Sequence, residues 1–485
     1  MPDAPRDHLL FYVNGRRQTV RGDDAFLPLS EFLRRRRGLV GTKVVCAEGD
    51  CGSCLVLLGR VRDGAIEYGA VASCILNLSQ LDATHVVTIE GLRDGDALNP
   101  IQEALVQAQG TQCGFCTPGF VVAMYDALRD RQPADACSLR RSLVGNLCRC
   151  TGYDSIVRAG LAVDQRKLSA LDELYADSQV AADLSRANGE SVAVRAEQRR
   201  LFKPVAVEDA TSYLAEHADA VALAGGTDLG VLENKRSRRL THVVAVGNME
   251  QLRGVNVGSD FVTVGAAESL VTLERVANEH WPAFGESLAY FGSPPIKNAG
   301  TIAGNLATAS PIGDTAPALY VLGAEVDVAG PTGQRRLPVE RFHTGYRQTA
   351  LEPGELIVSL RIPKLDASEF LRVYKVSRRK DLDISSFSAA FKLTRKGDMI
   401  GNAQIAYGGV AASTLRLKKT EAALRGRPLG LDTFEAAAEV AAGEVSPLSD
   451  MRGSEHYRRA LAGRVLLKLW HDIDAAEHAL SPKEA

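Results

Sequence analysis

The amino-acid sequence predicts a multidomain α+β protein. Its 485 residues are enough for about three domains of typical size. All nine cysteines lie within the first 150 residues, and two glycine-rich segments follow residue 200. We therefore expect the cysteine-bearing part and the glycine-rich part to be separate domains.

Composition and charge exclude several classes of protein. Apolar residues make up 45% of the chain and charged residues 24%, which is ordinary for a globular protein. The 57 Lys and Arg residues against 59 Asp and Glu residues leave a net charge of −2, unlike the basic surface of a nucleic-acid-binding protein. No apolar run reaches the roughly 18 residues of a membrane span, and the first residues lack the apolar core of a secretory signal. We therefore expect a cytoplasmic protein that binds neither membrane nor nucleic acid.

The first four cysteines have a spacing typical of an iron–sulfur site. Cys46, Cys51 and Cys54 form C-x4-C-x2-C, and Cys74 follows at a distance. Plant-type ferredoxins hold a 2Fe–2S cluster with this spacing. The alternative is structural zinc, but zinc sites usually pair two short cysteine knuckles. The spacing therefore favours a 2Fe–2S cluster.

The residues around this set predict a small sheet crossed by one helix. Asn14-Gly15 between two apolar runs predicts a hairpin with a type I′ turn. Ser30 is expected to cap a helix that ends at Gly38. Further strands are expected at 55–58, 65–68 and 85–89. Residues 7–92 are thus predicted to form a ferredoxin-like β-grasp domain.

The second set of cysteines lies among predicted helices. It comprises Cys113, Cys116, Cys148 and Cys150. Helices are expected after Asn99-Pro100, after Cys116, from about 139 to Cys148 on an apolar stripe, and from about 151. A C-x-C pair fits zinc poorly, so we expect a second 2Fe–2S cluster in a helical bundle over 93–165. Cys137 belongs to neither set and is expected to be an ordinary thiol.

Two glycine-rich segments mark the later part of the chain. They span 221–230 and 298–314, after a polar stretch at 166–199 that is expected to be an interdomain linker. Neither segment has the dinucleotide fingerprint G-x-G-x-x-G or a Walker A loop. Each can present backbone N–H groups to a pyrophosphate, although tight turns between strands are the alternative.

Two stretches that contain the second cysteine set resemble a known family. Gln112-Cys-Gly-Phe-Cys-Thr-Pro-Gly119 and Gly145-Asn-Leu-Cys-Arg-Cys-Thr-Gly-Tyr153 are similar to the second-cluster segments of the molybdenum hydroxylases. This family includes xanthine dehydrogenase, aldehyde oxidase and carbon monoxide dehydrogenase. The resemblance implies a two-part α+β FAD-binding domain that is not a Rossmann fold at 200–370. It also implies a small α+β C-terminal flavoprotein domain at 371–481.

The resemblance also implies which residues bind FAD. The first loop would contribute Leu223, Ala224, Gly225, Gly226, Thr227 and Asp228, and the second Thr301, Gly304, Asn305, Thr308, Ser310 and Asp314. Further contacts would come from Phe291, Ile357 and Lys375; a core aromatic is the alternative for Phe291 and a solvated lysine for Lys375. Asp381 and Asp383 lie where the family has its nicotinamide site, although solvent-facing carboxylates are the default.

Taken together, these expectations describe an electron-transfer chain. Two 2Fe–2S clusters and FAD would pass electrons to NAD⁺. No room is left for a molybdenum domain, so the molybdenum cofactor is expected on a large partner subunit, in a two-by-two heterotetramer. This arrangement resembles the small subunit of bacterial xanthine dehydrogenases, which act in purine catabolism. The alternatives are the same role in an aldehyde or N-heterocycle hydroxylase and, more remotely, a zinc-binding scaffold without redox function.

Overall fold

The computed structural model describes residues 4–93, 95, 97–130, 132, 134–175 and 178–480. Within these residues the chain forms a multidomain α+β structure, as predicted. None of the described helices is both long enough and apolar enough to cross a bilayer.

A five-stranded mixed sheet opens the chain. Its strands are β1 (Leu9–Val13), β2 (Arg16–Val20), β3 (Leu55–Arg62), β4 (Ala65–Ala72) and β5 (Thr84–Val87), in the order β2-β1-β5-β3-β4. The predicted hairpin is confirmed, because Asn14 and Gly15 both have positive φ (48° and 73°), as a type I′ turn requires. Helix α1 (Leu29–Glu31), extended by a π-helical turn over Phe32–Arg36, packs Phe32 and Leu33 into the core. The β-grasp prediction is therefore correct, but Ser30 lies inside the helix and does not cap it.

The second cysteine set lies in the connections between four helices. These are α2 (Pro100–Gln107), α3 (Thr117–Leu128), α4 (Ala136–Ser142) and α5 (Asp154–Ala162). Asn99 caps α2 as predicted, since its side chain accepts hydrogen bonds from the backbone of Ile101 and Gln102. The prediction that the third helix reaches Cys148 is wrong. It ends at Ser142, because Gly145 takes a φ of 106° that a helix cannot contain.

The segment expected to be a linker contains regular structure. It holds α6 (Leu171–Leu174), α7 (Ser178–Asn188) and β6 (Val192–Arg195). Strand β6 pairs with the following strand, so the end of this segment belongs to the next sheet.

Two sheets and the helices around them form the flavin region. The first sheet adds β7 (Arg200–Lys203), β8 (Val221–Leu223) and β9 (His242–Ala245) to β6, in the order β6-β7-β9-β8. The second contains β10 (Val255–Val257), β11 (Phe261–Gly265), β12 (Glu325–Gly330) and β13 (Gly333–Pro338), with β16 (Leu356–Pro363) at its centre. A small ribbon is formed by β14 (His343–Gly345) and β15 (Gln348–Thr349).

The helices of this region lie between its strands. They are α8 (Val207–Glu216), α9 (Leu229–Asn234), α10 (Leu270–His280), α11 (Pro282–Ala289), α12 (Pro294–Ala299), α13 (Ile302–Ala307) and α14 (Thr315–Leu322). One apolar core unites α8, α10, α11, α13 and α14 with the second sheet.

The last part of the chain is an antiparallel sheet covered by three helices. Its strands are β17 (Glu369–Val376), β18 (Phe387–Lys396), β19 (Met399–Gly408) and β20 (Leu415–Arg416). The helices are α15 (Lys418–Leu424), α16 (Leu431–Glu444) and α17 (Glu455–Leu480), and they share an apolar core with the sheet. This is the small α+β C-terminal domain that the family resemblance implies.

Candidate functional site: cysteine sets and glycine-rich loops

The first cysteine set is brought together by one loop and the end of a strand. Cys46, Cys51 and Cys54 precede β3, and Cys74 follows β4, its antiparallel partner. The thiol of Cys46 contacts those of Cys51 and Cys74, and Cys74 also contacts Cys54. The loop wraps through three residues with positive φ: Ala47, Gly49 and Gly52. Cys51, Cys54 and Cys74 are buried, with at most 9% of their surfaces exposed.

The second cysteine set meets as two pairs. Cys116 contacts Cys148, and Cys113 contacts Cys150. Burial, together with the neighbouring thiol of Cys148, raises the pKa of Cys116 to about 12. The Thr151 hydroxyl donates a hydrogen bond to the Cys148 Sγ at 3.2 Å, and such donors stabilise a thiolate.

The arrangement of thiols suits paired irons better than one zinc ion. Two thiolates for each of two irons is the ligation of a 2Fe–2S cluster, and the two pairs of the second set match it. The cysteine residues therefore fit the clusters that their spacing predicts.

The loops that carry the two sets touch each other. The backbone N–H of Leu147, next to Cys148, donates to the carbonyl of Cys51 at 3.0 Å. A Cβ on Gly119 would lie 2.0 Å from the Gly52 carbonyl oxygen, so only glycine permits this approach. A short hydrogen-bonded route thus connects a cysteine of one set with a cysteine of the other.

The two glycine-rich loops lie side by side, as one binding site requires. Leu223 ends β8, and Ala224 to Asp228 form the turn into α9. A Cβ on Gly225 would lie 2.1 Å from the Ala299 carbonyl oxygen, and one on Gly300 would meet the Thr227 hydroxyl at 3.5 Å. Gly226 has a φ of 68°. Backbone N–H groups of such glycine-rich loops are suitable donors to a pyrophosphate.

The second loop is ordered by its own polar side chains. Thr301 caps α13 by accepting from the Gly304 N–H, and the Thr308 hydroxyl donates to the Gly304 carbonyl. Asn305 accepts from the Thr315 hydroxyl at 2.5 Å, and Ser310 accepts from the Ile312 N–H at 3.4 Å.

Asp314 and Lys375 are partners. The Lys375 ammonium donates to Asp314 at 2.9 Å and to the Tyr290 carbonyl at 3.0 Å, and both side chains are about nine-tenths buried. The Ser385 hydroxyl donates to the other Asp314 oxygen at 2.5 Å. Lys375 is therefore not a solvated lysine but ties β17 to the second loop.

Of the three remaining candidates for flavin contact, two lie in or against the apolar core and the third, Asp228, is partly exposed. Ile357 is 4% exposed in β16, and Phe291 is half-buried against the same apolar core. Asp228, at the start of α9, lies 4.0 Å from the Arg347 guanidinium. A contact between any of the three and FAD stays a prediction.

The segment with Asp381 and Asp383 lies beside these loops. Asp383 accepts from the Arg379 N–H at 2.9 Å, and such backbone donors hold its pKa below the ordinary value although burial opposes them. The Lys380 ammonium lies 5.5 Å from the centre of the Tyr290 ring. The positive charge of Arg379 also acts on Asp50, in the loop of the first cysteine set. A nicotinamide contact of either aspartate is a prediction that these positions allow.

Sequence reasoning missed the residues that join the domains at this site. Asn234 and Gln80 each reach across the boundary between the β-grasp domain and the flavin region. Tyr290 and Ser385, which hold Lys375 and Asp314, were also missed. No sequence pattern marks them, because each acts through a contact distant in the chain.

Four family models match consecutive parts of the chain. They are a 2Fe-2S iron-sulfur cluster binding domain (11–78), a [2Fe-2S] binding domain (88–161), the FAD binding domain in molybdopterin dehydrogenase (195–365) and the CO dehydrogenase flavoprotein C-terminal domain (372–473).

The reconstituted CO dehydrogenase from Oligotropha carboxidovorans has a chain that is 30% identical, with a TM-score of 0.52. The match covers 94% of that chain and 55% of this one. The chain belongs to the molybdenum hydroxylase family. It is an iron–sulfur and flavin chain of this family of oxidoreductases, and its domains transfer electrons.

Other relatives are similar to nearly the whole chain or to little more than half of it. Xanthine dehydrogenase from Emericella nidulans is 29% identical over 96% of this chain, and xanthine dehydrogenase 1 from Arabidopsis thaliana is 30% identical over 97%. The chain spans about two fifths of the length of these relatives, 39% and 40%. Quinoline 2-oxidoreductase from Pseudomonas putida 86 is 26% identical with a TM-score of 0.53, over 57% of this chain and 97% of that one.

Proposed function

We propose that this chain is the electron-transfer subunit of a xanthine dehydrogenase. It would take electrons from a molybdenum-cofactor subunit and deliver them to NAD⁺. The proposal rests on one spatial observation. The second cysteine set contacts the first set, and the first set contacts the segment of the glycine-rich loops. Electron transfer needs such short separations between its groups.

Different residues of the site would bind the two clusters and FAD. Cys46, Cys51, Cys54 and Cys74 would hold one 2Fe–2S cluster, and Cys113, Cys116, Cys148 and Cys150 the other. The glycine-rich loops would bind the FAD pyrophosphate through backbone N–H groups. When bound, the clusters accept single electrons and the flavin converts them into a hydride for NAD⁺. The chain's own part is to position these groups and to exclude water from the first cysteine set.

Electrons would enter at the second cysteine set. Cys113 and Cys150 are exposed, and so are the apolar side chains of Phe115 (46%), Leu147 (47%) and Tyr153 (40%) beside them. An exposed apolar patch around a redox site is typical of a surface that a partner covers. We propose that the molybdenum subunit docks there, in a two-by-two heterotetramer.

Xanthine is the proposed substrate of the complex because xanthine dehydrogenases match 96% and 97% of the chain. The complex would catalyse xanthine + NAD⁺ + H₂O → urate + NADH + H⁺. Asp381 and Asp383 are proposed to border the nicotinamide. The second candidate is an aldehyde or N-heterocycle hydroxylase, which the likeness to quinoline 2-oxidoreductase favours.

An anaerobic visible spectrum of the complex, before and after addition of xanthine, tests the proposal. The expected sample is red-brown and is bleached by xanthine. A coloured complex that xanthine does not bleach, although its molybdenum subunit is active on quinoline or an aldehyde, would support the second candidate. A colourless sample that contains zinc would contradict both and favour the scaffold alternative.

A further inference from the structure

The boundary between the first cysteine set and the first glycine-rich loop is closed by two amide side chains that point in opposite directions. The Asn234 Nδ2, at the end of α9, donates to the carbonyl oxygens of Cys74 (2.8 Å) and Ala47 (2.9 Å). The Gln80 Nε2, in the β-grasp domain, donates to the Ala224 carbonyl at 2.7 Å. Each domain thus holds a backbone carbonyl of the other domain's cofactor loop.

The backbones at this boundary are in contact as closely as glycine allows. A Cβ on Gly230 would lie 2.1 Å from the Ile75 carbonyl oxygen, and one on Gly226 would lie 2.7 Å from the Gln80 Nε2. Ile75 directly follows Cys74, and Gly230 lies within α9, four residues before Asn234. Neither backbone has room to shift toward the other.

Asn234 differs from the other contacts because it reaches the peptide of a cysteine. Ala47, its second acceptor, has a φ of 54° and directly follows Cys46. One side-chain amide therefore orients the carbonyls beside two thiols of the set, with the positive end of its dipole toward that loop. Hydrogen bonds and charge around a 2Fe–2S cluster determine its reduction potential.

We propose that Asn234 is a positioning residue that links the first cluster to the flavin domain and raises the reduction potential of that cluster. The inference rests on the proposed function, in which the first cysteine set holds a 2Fe–2S cluster. Without the amide donor, the carbonyl dipoles of Ala47 and Cys74 lose their positive partner, which disfavours the addition of an electron to an anionic cluster held by that loop.

The test is a redox titration of the full chain with its clusters, followed by electron paramagnetic resonance at low temperature. Asn234→Ala removes the amide donor and adds no new atoms to the boundary. Asn234→Asp keeps the shape but replaces the donor by a carboxylate, and it is the second variant if the first does not fold. A matched control is Asn298→Ala, since the Asn298 Nδ2 also crosses the boundary but donates to the Ala70 carbonyl, away from the cysteines.

The expected result is a shift of one cluster to lower potential in Asn234→Ala and a larger shift in Asn234→Asp. The signal of the other cluster and both signals of Asn298→Ala should be unchanged. The signal that Cys54→Ser removes identifies the first cluster. If both 2Fe–2S signals are present and keep their potentials in the Asn234 variants, the inference is wrong and the proposed function stands. If the wild-type chain has no 2Fe–2S signal, both are wrong.

Discussion

The two cysteine sets have the same number of thiols but opposite environments. Cys54 and Cys74 of the first set are 1% and 3% exposed, and the flavin region closes over their loop. Cys113 and Cys150 of the second set are exposed and have exposed apolar neighbours. The difference supports the proposed direction of electron flow, in which the exposed set exchanges electrons with a partner and the buried set passes them internally.

Removing one thiol from the buried set should have the largest effect. Cys54→Ser is expected to lose the first cluster, since serine ligates iron poorly and no other thiol can replace a buried one. Half of the bound iron and one of two 2Fe–2S signals should disappear, as measured by iron analysis and paramagnetic resonance. Cys137→Ser, outside both sets and exposed, is the control that should retain all the iron. Full iron in Cys54→Ser would contradict the assignment of this set.

The contact between the two sets can be broken without touching a thiol. Gly119→Ala places a Cβ against the Gly52 carbonyl and should destabilise the chain by about 3 kcal/mol, the upper end for overpacking. Gly443→Ala is the matched control, because Gly443 lies at an exposed position of α16 where a Cβ would meet nothing. Its expected effect is a gain of up to about 1 kcal/mol. Denaturant unfolding measures the stability of both variants. A Gly119→Ala variant as stable as the Gly443→Ala variant would contradict the close contact.

Exposure should decide which cluster is lost first. In the chain without its partner, incubation with a chelator and an oxidant should remove the second cluster before the first. The two signals, followed over time, measure the order. Adding the molybdenum subunit should slow the loss of the second cluster only, because the subunit would cover that surface. Loss of the first cluster before the second would contradict the comparison.

Removal of the ion pair that joins the β-grasp domain to the flavin region should have a smaller effect on the free energy of unfolding. Arg62 donates to Glu268 at 3.0 Å, and Glu268 is buried. Burial acts to raise the pKa of Glu268, but hydrogen bonds from Arg62 and the Gly254 N–H hold it below the ordinary value of 4.5. The stabilisation is therefore complete above that value and lost as the pH falls through the lower native pKa.

Glu268→Gln tests this pH dependence. It should cost about 1 kcal/mol at neutral pH, a modest value because Arg62 is a third exposed. The difference in unfolding free energy from the wild type should shrink as the solution is acidified. A difference that stays constant from neutral pH into the acid range would contradict the assignment of the pH dependence to Glu268.

Local chemistry made much of the fold predictable. The Asn14-Gly15 turn and the Asn99 cap depend on neighbouring residues only, and the structure contains both elements. The helix expected up to Cys148 was wrong because the apolar stripe continues past Gly145, whose positive φ the stripe does not reveal. Asn234 could not be predicted, because its role depends on Cys74 being brought against α9 by the packing of two domains.

The central claim is that electrons pass from the second cluster to the first and only then to the flavin. Stopped-flow reduction of the complex with the Cys54→Ser substitution, by the substrate of the molybdenum subunit, tests it most directly. The account predicts that the second cluster is reduced as fast as in the wild type while the flavin stays oxidised. Reduction of the flavin at the wild-type rate would contradict the claim.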